Sequence, residues 1–79
     1  MSGPTSYSHQ TSRGPFWLLK QPDGQWLVMW DSEALETHSS PWAAAAAVAT
    51  GTCMWPSFGS PAGLGISEDL EDWTPRGGR

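Results

Sequence analysis

The clearest hydrophobic pattern in this chain is a pair of apolar runs, Phe16 to Leu19 and Trp26 to Trp30, separated by Lys20-Gln21-Pro22-Asp23-Gly24-Gln25. Pro22 pre-sets one turn residue, Asp23 favours the next, and Gly24 supplies the left-handed position of a three-residue hairpin loop. The stretch therefore predicts a β-hairpin. With Gln21 facing Gln25, the pairing places Trp17, Leu19, Leu27 and Met29 on one face. The other face carries Phe16, Leu18, Trp26, Val28 and Trp30, with Lys20 opposite Trp26. Both faces are apolar. A hairpin with one wet side would alternate apolar and polar residues, so each face needs a cover.

The remaining pattern offers few covers. Residues 1–14 are rich in Ser, Thr, Gly and Pro, show no periodicity, and predict a mobile tail. Asp31-Ser32 is a second turn signal, and Glu33 to His38 predicts a short, acidic third strand of weak alternation. Ser39 or Ser40 before Pro41 marks a helix start, and Gly51 marks its end. A helix over Pro41–Thr50 follows, built on five consecutive alanines. It is thin enough to approach a sheet closely, and it covers one hairpin face but not both. We assign it to the Phe16, Leu18, Trp26, Val28 and Trp30 face, which is the larger and more aromatic.

Cys53-Met54-Trp55 reads as a short strand or extended segment ended by Pro56, and Ser57 to Gly65 as loop. Ser67 then caps a single helical turn whose Ile66, Leu70 and Trp73 share a side. The segment from Phe58 to Trp73 is expected to fold over part of the second hairpin face. The expected organisation is a tail over 1–14, one small domain over 15–75, and a flexible tail over 76–79. The fold class is α+β, an antiparallel sheet of three or four strands packed on the alanine helix. A looser ββα unit that orders in a homodimer or on a partner is the alternative.

Composition narrows the function. Six tryptophans in 79 residues strengthen a core with little aliphatic mass, yet they exceed what a thin core easily hides. A net charge of −4 opposes direct nucleic-acid binding and favours a protein partner with a basic surface. No apolar span reaches membrane-helix length and no signal-peptide layout is present, so the expectation is a soluble, cytoplasmic protein, monomeric or weakly dimeric. One cysteine excludes an internal disulfide and a cysteine zinc site.

Catalytic chemistry is poorly supplied. The only nucleophile-and-base option pairs Cys53 with His38, against the commoner case of a small buried thiol and a surface histidine. The loop SFGSPAGLG lacks the strand, helix and lysine of a phosphate loop. Glu68, Asp69, Glu71 and Asp72 lack both the shielded pocket of an acid–base pair and the spacing of a calcium loop. No cofactor or metal is expected. These four carboxylates, half of the chain's eight, sit beside Trp73. Such a patch either steers and anchors a basic partner or forms a solvated face. The candidate partner-binding residues are Glu68, Asp69, Glu71, Asp72 and Trp73, with Trp17 and Met29 from the second hairpin face.

In size, acidity and lack of a catalytic set, the chain resembles the small phage-encoded anti-CRISPR proteins. That resemblance is of profile across the whole chain, with no shared motif to carry over. It implies a non-enzymatic inhibitor in the host cytoplasm, a DNA mimic whose carboxylates occupy a basic nucleic-acid site on a Cascade-type complex and block target-DNA recognition. The alternative is a structural or accessory module that associates through an exposed aromatic hairpin face.

Overall fold

A computed structural model describes residues 3–77. The fold is α+β. The elements are β1 (Ser6–His9), β2 (Phe16–Lys20), β3 (Trp26–Trp30), β4 (Glu33–His38), α1 (Pro41–Thr50), a 3-10 turn over Leu70–Asp72, and β5 (Thr74–Arg76). The strands form one antiparallel sheet in the order β4-β3-β2-β1-β5.

The hairpin β2–β3 takes the register set by its loop: Phe16 faces Trp30, Trp17 faces Met29, Leu18 faces Val28, and Leu19 faces Leu27. The Gln21 amide donates to the Gln25 carbonyl at 2.8 Å, and Gly24, at φ 89°, donates to the Gln21 carbonyl at 2.9 Å. Asp23 Oδ1 accepts from the Gln25 amide at 2.9 Å and fixes the loop from within.

The third predicted strand forms as β4, with a bulge that its weak alternation did not show. Pairing slips between Val28 and Met29, so Val28 faces Glu36 while Met29 faces Ala34, and Leu35 is the extra residue. A bulge re-aims side chains. Leu35 thereby enters the core while Glu36, on the same side, accepts from the Met54 amide at 2.8 Å.

Helix α1 begins where expected: Ser40 Oγ accepts from the Ala43 amide at 3.1 Å, and Pro41 occupies the first turn. It ends at Gly51, whose left-handed φ of 76° lets its amide reach the Val48 carbonyl. Pro41, Ala44, Ala45, Ala47 and Val48 are buried against Phe16, Leu18, Trp26 and Val28, the face assigned to the helix.

Three expectations are corrected. The Phe58–Trp73 segment does not cross to the other hairpin face: Phe58, Ile66, Leu70 and Trp73 all join the cluster beneath α1. A chain this short gains more by completing one core than by starting a second. Residues 6–9, expected within a mobile tail, form β1, with Tyr7 facing Leu18 and His9 facing Phe16. Tyr7 packs on Trp26 at 5.6 Å between ring centroids, and His9 meets Trp73 edge-on at 5.2 Å. These two rings supply the burial that serine-rich composition concealed. Thr74-Pro75-Arg76, expected to end the domain and open a flexible tail, pairs with β1 as β5. The expected ends at residues 1, 2, 78 and 79 lie outside the described residues. Of the two readings of Cys53-Met54-Trp55, the strand does not form.

Candidate functional site

Among the described residues, nothing outside the sheet joins a cluster on its second face. Trp17, Leu19, Leu27 and Met29 stand together on it, each half-buried, with Ser6 and Ser8 of β1, Ala34 and Thr37 of β4, and Thr74 and Arg76 of β5 around them. The buried apolar residues outside the sheet belong instead to the cluster on the helix side. The Arg76 guanidinium lies 5.6 Å from the Trp17 ring centroid, a cation–π contact, and its Nε donates to Ser8 Oγ at 3.4 Å. The carboxylates of the strands, Glu33 and Glu36 of β4, pair with Trp30 and Val28 on the helix side, so among the described strand residues none stands on this face.

The acidic segment is ordered by its own side chains. Ser67 Oγ accepts from the Asp69 amide at 3.0 Å and donates to Asp72 Oδ2 at 2.6 Å. Glu68, Asp69, Glu71 and Asp72 are all exposed. Trp73, expected as their aromatic anchor, is 2 % exposed and donates from Nε1 to the Ser67 carbonyl at 3.0 Å. Its place in the core follows from the spacing that also buries Ile66 and Leu70. The neighbouring Ser67 amide donates to His9 Nε2 at 3.3 Å, while His9 Nδ1 pairs with the Gln10 carbonyl at 2.8 Å. Both bonds are satisfied by a neutral ring protonated on Nδ1.

Of the predicted partner-binding residues, Trp17 and Met29 are therefore brought together on the open face. Glu68, Asp69, Glu71 and Asp72 are brought together at another place, and Trp73 is withdrawn from the surface. The exposed large apolar side chains are others: Trp42 at 66 %, Met54 at 60 % and Trp55 at 57 %. Trp42 lies outside the set that α1 buries, Pro41, Ala44, Ala45, Ala47 and Val48. It borders a groove of about 340 Å³ shared with Pro4, Tyr7, Leu70, Glu71 and Pro75.

The cysteine option loses its chemistry. Cys53 is buried, and burial, with the Glu36 carboxylate adding to it, pushes the thiol up to about 11. A thiol so held stays protonated at neutral pH, the opposite of an activated nucleophile. His38 Nε2 is paired with the Glu36 carboxylate rather than with sulfur. Among the described residues, no group of three or more His, Cys, Asp or Glu side chains is placed to hold a metal ion, and no helix is long and apolar enough to cross a membrane. Comparison with protein-family models, with curated proteins and with solved structures finds no match for the chain.

Proposed function

We propose that this protein acts by binding another protein, without chemistry of its own, and that the open sheet face is where it binds. One observation carries the reading: helix, loop and C-terminal turn all pack on the same side of the sheet, leaving Trp17, Leu19, Leu27 and Met29 with no cover. An aromatic and aliphatic centre ringed by small hydroxyl side chains has the composition of an interface core and rim. Arg76 over Trp17 gives that face a positive edge on a negative molecule.

A second reading keeps the anti-CRISPR type of inhibitor. It is supported by the joint exposure of Glu68, Asp69, Glu71 and Asp72, which would then stand in for phosphates on a basic surface. The two readings separate by mutation and by salt. A binding protein recovered from host lysate is identified, and its affinity is measured by calorimetry at two ionic strengths. Trp17→Ser with Leu27→Ser is expected to weaken binding by about tenfold or more per residue, with little change between low and high salt. If binding survives this pair but is lost with Glu68→Gln, Asp69→Asn and Glu71→Gln, and falls steeply with salt, the acidic turn is the site and the open-face reading is refuted.

A further inference from the structure

We infer that the groove between Trp42 and the acidic turn is a second binding site, on the helix side of the sheet, for an extended proline-bearing peptide with an arginine at one end. Tyr7, packed against Trp26, and the buried Leu70 and Trp73 line the groove. The walls are flat rings: Trp42 on one side, with Pro4 and Pro75 among the lining residues. Beyond Tyr7 and Trp42 the depression continues toward Lys20, Trp26 and Pro41. The two ends therefore differ in charge, with Lys20 at one and Glu71 at the other, beside the further exposed carboxylates of Glu68, Asp69 and Asp72.

This geometry selects among peptide conformations. A ligand adding as a β-strand needs a free row of backbone donors, and the strand that borders the groove, β5, has proline at its centre. A polyproline II segment keeps its backbone solvated and asks the site only for ring faces against which its prolines pack. Trp42, two-thirds exposed, and Tyr7 offer such faces. The carboxylate end fixes direction: arginine belongs next to Glu71, beside the exposed carboxylates of Glu68, Asp69 and Asp72.

The test is a titration of the isotope-labelled full chain with a short blocked peptide, arginine followed by a Pro-X-X-Pro segment, read by amide chemical shifts. Shifts are expected at Tyr7, Trp42 and Glu71. Trp42→Ala is expected to lower affinity about tenfold or more, while Trp55→Ala, also exposed but outside the groove, leaves it unchanged. Glu71→Arg is expected to lose the arginine peptide and to take the peptide in which glutamate replaces that arginine. The proposal is overturned by absence of binding at millimolar peptide, or by shifts centred on Trp17 and Leu27. It is equally overturned by full affinity for a peptide with alanine in place of both prolines. If Trp42→Ala changes the sedimentation of the protein without any peptide, the groove belongs to a second copy of the chain and the peptide site is likewise refuted.

Discussion

Replacing Trp73 by alanine tests whether the acidic turn is tied down by the core. The substitution removes a ring that is 2 % exposed, its bond to the Ser67 carbonyl, and its edge contact with His9 at 5.2 Å. Emptying a buried tryptophan site costs about 3–5 kcal/mol, and the orphaned carbonyl adds about 1 kcal/mol. A chain of 79 residues has roughly 4–12 kcal/mol of stability in all, so the variant is expected to lose about a third of it or more. Trp42→Ala is the matched control. At 66 % exposure it is expected to shift stability by no more than about 0.5 kcal/mol. Urea unfolding followed by far-ultraviolet circular dichroism measures both, with amide dispersion as a check that each variant starts folded. If the two variants unfold within about 1 kcal/mol of each other, Trp73 is not a core residue and the described packing of the C-terminal segment is wrong.

Gly51→Ala is expected to lower the melting temperature by about 4–16 °C. A Cβ there would meet Ala62 Cβ and Ser60 Oγ at 2.9 Å on a backbone at φ 76°, a loss of about 1–2 kcal/mol in a domain of this size; an unchanged melting curve would contradict the assigned helix end. Cys53 makes stability depend on alkaline pH. Its thiol rises from the ordinary 9.0 to about 11 on folding, so the unfolded chain releases the proton first. The contribution is full below pH 9 and is lost as pH climbs through 11. Urea midpoints are expected to fall over that interval more steeply in the native sequence than in Cys53→Ala, and parallel curves would show that the thiol is not buried in solution.

The parts of the fold that were legible are those whose signals are local. Pro22-Asp23-Gly24 set the hairpin register, and Ser40, Pro41 and Gly51 set the helix bounds, because loop type and capping act over a few residues. The assignment of α1 to the Phe16 and Val28 face also followed, from ring size and alanine thinness. What escaped was long-range. Ser6–His9 and Thr74–Arg76 have little strand propensity: β1 is a strand because it lies between β2 and β5, and β5 because β1 lies beside it. The same pairing determines which face the C-terminal segment covers, so an error at β1 became an error about Trp73. The carboxylates at 68, 69, 71 and 72 were correctly placed at the surface. Trp42 was missed as a groove residue because an alanine helix shows almost no sidedness until the strands beneath it are known.

The two outer strands decide what shape an assembly of this protein takes. Arg76 accepts from the Thr5 amide with its carbonyl, so the backbone groups of Pro75 turn away from β1, and there the outward donor is missing altogether. At the opposite border, β4 is bulged, and its Glu33 and Glu36 carboxylates are engaged by the Ser57 and Met54 amides. The bulge at one border and the proline at the other both disfavour pairing with another strand. Association is therefore expected to use a face of the sheet rather than to continue it. Fibre growth by strand addition is disfavoured at both rims, even though the molecule presents an apolar sheet surface to its surroundings.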